Sequence, residues 1–238
     1  MKNFLRKLKI KISNLFIVEE DIKSSKNRWQ SLAEKESKYV VWTQNGKNIN
    51  EEDFRKSGKN DYFYVVGDDA ILQEKLKLTK KNTALEIGCG VGRISEFLAD
   101  DFNNVYGVDI SGHMIEQAKK RLPEEKFHFL EGDGMSLPIK SESIDFIMSH
   151  AVFQHMPSRK VIESNFKEAF RVLKSGGLFK VQLRATETSK KNWFYGASYN
   201  QKEAEKMCLK VGFSTVYNKV VDRSDYKKIL YVLLEKPF

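Results

Sequence analysis

The chain has 238 residues, 41% of them hydrophobic and 31% charged, with a net charge of +9. That length buries one sizeable core and suits one α/β domain with an appendage; 14 glycines and 4 prolines are too few for a collagenous or low-complexity chain. No apolar run reaches the roughly 18 residues of a membrane span, the 2 cysteines make neither a disulfide framework nor a zinc site alone, and the basic balance favours an anionic partner.

In chain order, residues 2–17 place Phe4, Leu5, Leu8, Ile12, Leu15 and Phe16 at helical spacing among lysines and arginines. The lysines break the apolar stretch too often for a signal peptide, so a cytoplasmic protein is expected. Residues 26–66 carry Trp29, Tyr39, Trp42, Phe54, Tyr62, Phe63 and Tyr64 without clean periodicity. They read as a helical and loop cap. A helix is predicted from Asp69 to Leu76. Short apolar runs then alternate with helical patterns, the signature of βαβ units in a mostly parallel sheet. Strands are predicted at 83–87, 104–108, 127–131, 143–149, 177–183, 213–220 and 229–234. Helices are predicted at 93–99, 111–122, 159–173 and 200–211. Ser111 is a natural N-cap, and Gly212 a natural stop. The expected architecture is a Rossmann-like α/β fold. Its seven-stranded, mostly parallel sheet carries helices on both faces and an N-terminal helical cap. The domains are then a basic amphipathic helix at 1–18, a cap over the active site at 19–69, and the sheet domain at 70–238.

The strongest local signal is Leu85-Glu86-Ile87-Gly88-Cys89-Gly90-Val91-Gly92-Arg93. A buried strand runs into alternate glycines and then a helix, so the backbone turns sharply and a ligand can approach without meeting a Cβ. The dinucleotide fingerprint needs a glycine where Arg93 stands, so the pyrophosphate form is absent. Asp109 ends the next strand about twenty residues on, where a carboxylate can accept from ribose hydroxyls. Ribose recognition without a pyrophosphate turn points to a nucleoside ligand such as an adenosyl group.

At this point the chain resembles the class I S-adenosylmethionine-dependent methyltransferases, over roughly residues 70–238. Ala84 to Arg93 resembles the family's first motif and Val105-Tyr106-Gly107-Val108-Asp109-Ile110-Ser111 its second. Glu131-Gly132-Asp133-Gly134-Met135-Ser136-Leu137-Pro138 resembles the adenine-contacting segment. Ile144 to Ser149 with Val152-Phe153-Gln154-His155-Met156-Pro157 resembles the fourth motif and its turn, and Val172 to Gly177 the turn before the fifth strand.

The resemblance implies S-adenosylmethionine as cofactor, with S-adenosylhomocysteine as product. Gly88 and Gly90 would admit its methionyl part, with Cys89 filling space between them. Glu86 would lie near its amine, and Asp109 would hold the ribose. Asp133 would accept from the adenine amine beside the Gly134 and Met135 backbone, with Ile110 and Met114 sandwiching the ring. Ser149 and His150 would border the sulfonium. Glu86 and Gly134 depart from the family's commoner aspartate and alanine. His155 is either a general base or a structural histidine, with His150 the second candidate base. Arg184, Tyr195, Tyr62 and Tyr64 are candidate acceptor contacts.

The resemblance does not specify the acceptor. The leading expectation is a hydroxyl of a small molecule, sugar or glycan, with the charge favouring an anionic one, methylated without a metal. An amino sugar or other amine is the alternative. The Ser-His-Ala-Val sequence after Met148 lacks the Asn/Asp-Pro-Pro-Tyr/Phe signature of base methylation, which disfavours nucleic acid. A protein acceptor or a non-catalytic scaffold ranks lower. Residues 2–17 would either lie on an anionic membrane face or pack on the domain or a second subunit of a homodimer.

Overall fold

The structure, a computed structural model, describes residues 22–41, 50–78, 82–185, 195–223 and 227–238. The amphipathic segment 2–17 lies outside the described residues. Among the described residues no helix is long and apolar enough to cross a membrane.

The strands are β1 (Thr83–Ile87), β2 (Asn104–Asp109), β3 (Phe127–Glu131), β4 (Ile144–Ser149), β5 (Leu173–Arg184), β6 (Ser214–Arg223) and β7 (Lys227–Glu235). The helices are α1 (Ile22–Val41), α2 (Glu51–Tyr62), α3 (Ala70–Leu78), α4 (Ser95–Leu98), α5 (Gly112–Arg121), α6 (Arg159–Val172) and α7 (Gln201–Val211). Together the strands make one 7-stranded sheet in the order β3-β2-β1-β4-β5-β7-β6. The first five are parallel, while β7 runs antiparallel between β5 and β6. This is the Rossmann-like α/β architecture expected from the sequence.

The central strands are continuous apolar runs because both faces are covered; every residue of β1 and β4 is buried. Alternation sends Leu85, Ile87, Ile147 and Phe179 into one core with Phe166 and Phe213. It sends Ala84, Val105 and Phe146 into the other, with Phe97, Leu98 and Phe102. The caps follow the sequence: Ser111 accepts from the Met114 N–H, and Asn200 forms a capping box with Glu203 before Gly212 ends α7 at φ 113°.

Two of the boundary differences from the expectation have a local cause. The predicted helix at 93–99 shortens to α4, because the turns of the glycine motif continue through residue 94. The Ser175-Gly176-Gly177 stretch, predicted as a turn, lies within β5. There Gly176, at φ 75°, donates its N–H to the Lys236 carbonyl at 2.7 Å, so the ladder continues through it.

One feature of β5 would mislead a reader of hydropathy. Lys180, Gln182 and Arg184 alternate with Phe179, Val181 and Leu183, the pattern of a strand with one wet face. All six are buried. The polar three are satisfied by distant partners: Lys180 pairs with Asp69 at 2.5 Å, and the Arg184 guanidinium lies 4.3 Å from the Tyr195 ring centroid.

Candidate active site

After β3 the chain crosses β1 to build β4 on its other side, so the crevice between β1 and β4 is the sheet's topological switch point. Ligands bind at such a crevice, beyond the carboxyl ends of the strands. Here it opens into a cavity of about 450 Å³ whose walls include Glu86, Gly88, Asp109, Gly134, His150 and His155. That volume lies within the range of small-molecule sites.

The glycine turn is wired to β2 by its own backbone. The N–H groups of Gly88 and Cys89 donate to the Val108 carbonyl at 2.7 and 3.2 Å. Gly88 sits at φ 77°, and a Cβ there would come within 2.3 Å of Val152. Gly90 and Ser111 each donate a backbone N–H to one oxygen of Asp109, both at 2.9 Å. A carboxylate has about four acceptor positions, so Asp109, which lines the cavity, keeps acceptor capacity for a ligand hydroxyl beyond these backbone donors and the Ile110 N–H. Burial pushes the Asp109 carboxyl up against the pull of those N–H bonds.

Glu86 is 3% exposed and lines the same cavity. Burial pushes its pKa up to about 7, although the Ser95 hydroxyl donates to it at 2.5 Å and the Arg93 charge lies nearby. A carboxylate so poorly compensated is matched to an incoming cation. Gly134 lines the cavity at φ 82°, where a Cβ would press on Ile110 and Ile22 at 2.8 and 2.9 Å. Its departure from alanine thus has a steric reason.

Helix α1 lies against the crevice. Lys26 pairs with Glu131 at 2.5 Å, and Gln30 Oε1 accepts from the Ser111 hydroxyl at 2.8 Å and the His113 N–H at 3.2 Å. The Trp29 ring meets His155 edge-on at 5.5 Å, and Ile22, Ser25 and Trp29 all line the cavity. Sequence reasoning gave none of these a site role. Trp29 was visible as one aromatic among several, but which aromatic faces the crevice depends on how α1 docks.

The structure brings Glu86, Gly88, Cys89, Gly90, Asp109, Ile110, Met114, Gly134, His150 and His155 into the cavity wall. Other expected residues are engaged elsewhere. Asp133 accepts from the Met135 and Ser136 N–H groups and the Ser136 hydroxyl. Burial works upward on its carboxyl, but these bonds hold it below the usual range. It shapes the turn that carries Gly134, and neither it nor Met135 is part of the wall. Ser149 is buried behind the surface, donating to the Ile87 carbonyl at 2.7 Å. Tyr62 packs with Phe97 and gives its hydroxyl to Asp101, and Tyr64 is half exposed with its ring 6.0 Å from Tyr231. Arg184 and Tyr195 stack on each other outside the wall. Trp29 and, from the chain after β4, Val152, Gln154, Met156 and Pro157 complete the cavity wall.

Residues 85–181 match the family described as "Methyltransferase domain". Among curated proteins, the chain is 29% identical over 171 residues to a sterol 24-C-methyltransferase of Candida albicans, covering 62% of this chain and 44% of that one. It is 27% identical over 164 residues to a trans-aconitate 2-methyltransferase of Rhizobium rhizogenes, covering 64% and 61%. The chain thus spans less than two thirds of either relative. Among solved structures, an S-adenosylmethionine-dependent methyltransferase of Methanosarcina mazei superposes with a TM-score of 0.59 at 22% identity, covering 71% of this chain and 98% of that one. The Asp109 carboxylate and the buried Glu86 carboxyl, both in the cavity wall, fit an adenosyl group carrying an ammonium. Residues 85–181 thus match a methyltransferase domain, the fold is that of S-adenosylmethionine-dependent methyltransferases, and both support S-adenosylmethionine as the cofactor.

Proposed function

We propose that this protein methylates a hydroxyl of a small-molecule acceptor, with sugar or glycan hydroxyls the expected class. The observation that carries the reading is one continuous cavity along the sheet edge. Asp109 and Glu86 line it at β2 and β1, His150 lines it at the end of β4 and His155 in the turn that follows. The small acceptors named for the relatives, a sterol and trans-aconitate, support a small molecule here.

S-adenosylmethionine supplies a methyl group on a sulfonium, already activated toward displacement. The protein's task is then chiefly to position donor and acceptor. Asp109 would hold the ribose hydroxyls, Glu86 the ammonium, and Gly134 would leave room for the adenine. Trp29 and Met156 would exclude water on the acceptor side. A hydroxyl acceptor gains from a base that takes its proton during attack, and His150 and His155 are the groups placed to do so.

The test incubates the full chain with methyl-labelled cofactor and a panel of sugars, hydroxy acids, phenols and amines, read by mass. A gain of one methyl group on a hydroxyl supports the reading. Transfer only to amines or carbon replaces it, and no transfer to any class leaves a cofactor-binding scaffold.

Residues 2–17 are proposed to bring the enzyme to an anionic bilayer, consistent with a lipid-linked acceptor. Basic residues near such a surface contribute about 1 kcal/mol each. Co-sedimentation with anionic vesicles that falls with salt and is lost on deleting residues 1–18 supports this. A protein that stays in the supernatant at low salt overturns it.

A further inference from the structure

One polar group of the cavity wall is held so that it can only accept. Asn165, in the second turn of α6, is 3% exposed and lines the cavity. Its Nδ2 lies 2.8 Å from the Gly134 carbonyl and 2.9 Å from the Val161 carbonyl. Carbonyls only accept, so the amide nitrogen faces them and spends both of its protons there. What Asn165 has left for the cavity is Oδ1, which receives no donor from the described residues. A buried acceptor of this kind costs free energy until a ligand supplies the donor.

The place of that oxygen in the fold points to the group it takes. Ile110 follows Asp109 directly, and both line the cavity. A base on a ribose held by Asp109 would lie along Ile110 toward Gly134, the residue that Asn165 grips by its carbonyl. Helix α6 also fixes the chain that follows Gly134. Ser164 donates its hydroxyl to the Met135 carbonyl at 3.0 Å, Glu168 accepts from the Leu137 N–H at 2.9 Å, and Arg171 donates to the Leu137 and Ile139 carbonyls at 3.0 and 2.9 Å. Asn165 is therefore presented by a rigid wall. Asp133, the competing acceptor, is engaged on both oxygens: Oδ1 accepts from the Met135 and Ser136 N–H groups and Oδ2 from the Ser136 hydroxyl, outside the wall.

We propose that Asn165 Oδ1 accepts from the exocyclic amine of the cofactor's adenine, so that a residue of α6, and not Asp133, selects an adenine base at this end of the cavity. The inference rests on the cofactor assignment. The amide has two separate tasks: Nδ2 holds the Gly134 turn in place, and Oδ1 reads the base. A base with a carbonyl at that position sets oxygen against oxygen in a buried site, and a base with hydrogen there leaves Oδ1 without a donor. A site built around a hydrogen bond rejects both.

The test is a ratio of affinities. Calorimetry on the full chain compares S-adenosylhomocysteine with its purine-riboside analogue, identical except that hydrogen replaces the exocyclic amine. A disturbance of the wall that weakens both ligands alike cancels in the ratio, which therefore reads only the partner of the amine. The parent is expected to bind the adenosyl form at least about tenfold more tightly. Two variants remove the oxygen: Asn165→Leu, and Asn165→Ser, whose hydroxyl can still donate to the Val161 carbonyl but is too short to reach the base. Each is expected to bring the two affinities within about threefold of one another. Asp133→Ala is expected to keep the parent ratio. A parent that does not distinguish the two ligands overturns the proposal, as does a ratio that survives in folded Asn165 variants. Loss of the ratio in Asp133→Ala assigns the amine to Asp133 and overturns it without recourse to the Asn165 variants. A folded parent that binds neither ligand overturns the cofactor assignment, and this inference with it.

Discussion

On the wall formed by β1, β2 and the turn after β3, polar groups are held by atoms nearby in the chain. Asp109 is fixed by the N–H groups of Gly90 and Ser111, Asp133 by those of Met135 and Ser136, and Glu86 by the Ser95 hydroxyl. On the wall formed by β4, β5, β7 and α1, the ties run between distant segments. Tyr231 meets His150, Gln182 meets Gln154, and Trp29 meets His155. Behind them Lys180 pairs with Asp69. The first wall is built by backbone geometry and can be shared by relatives with different acceptors. The second exists only when separate elements dock.

The largest expected effect separates the two walls by stability. Lys180 and Asp69 are 5% and 12% exposed, and the Tyr217 hydroxyl also donates to Asp69. Burial pushes the Asp69 carboxyl up, but the bonds from Lys180 and Tyr217 outweigh it and hold it low. Lys180→Met leaves that carboxylate without its cation and is expected to cost about 3–5 kcal/mol in urea unfolding. Adding Asp69→Asn is expected to recover part of the loss. If the single variant unfolds like the parent, the second wall is not held by this pair.

Next comes Glu86, on the first wall, with an opposite sign. Its carboxyl is raised from 4.5 to about 7, so the native state binds the proton more tightly than the unfolded chain. The resulting stability is present at low pH and is lost as pH rises through about 7. A shift of this size is worth roughly 3 kcal/mol. Glu86→Gln is therefore expected to match the parent near about pH 5 and exceed it by up to that amount near about pH 8. Binding of a cationic cofactor reverses the preference. Parent affinity is then expected to rise from about pH 6 to 8 with proton release, visible in calorimetry as a buffer-dependent heat, and to stay flat in the variant. A parallel pH response in both proteins would place the titrating group elsewhere.

Asp109→Ala is expected to weaken S-adenosylmethionine at least about tenfold, since each hydrogen bond to a charged acceptor is worth about 1.5–3 kcal/mol. Unchanged affinity in a folded variant removes Asp109 from the cofactor site. The smallest effect belongs to the junction of the walls. Gln30→Ala removes the acceptor for the Ser111 hydroxyl and His113 N–H and is expected to cost about 1 kcal/mol. It is also expected to speed cofactor release, read by stopped flow. A slower release would mean that α1 does not restrain the cofactor.

The amino-acid sequence by itself determined the βαβ order, the glycine turn, the placement of Asp109 and the capping of α5 and α7. Each of these is a short-range consequence of backbone sterics: a positive φ at Gly88, a carboxylate two residues before a helix N-cap, and a serine or asparagine at an N-terminus. Hydropathy also placed the strand ends that bring Gly88, Asp109, Gly134 and His150 to one edge. Only the tertiary structure decided which aromatic faces the crevice, as Trp29 does while Tyr62 turns to Asp101. It alone buried the polar face of β5, where Lys180, Gln182 and Arg184 carry the pattern of a solvated strand but find partners in α3's flank, β7 and the chain after β5. The physical reason is directional. A backbone turn specifies its own hydrogen bonds, whereas a buried side-chain relay exists only once distant segments supply every donor with its acceptor.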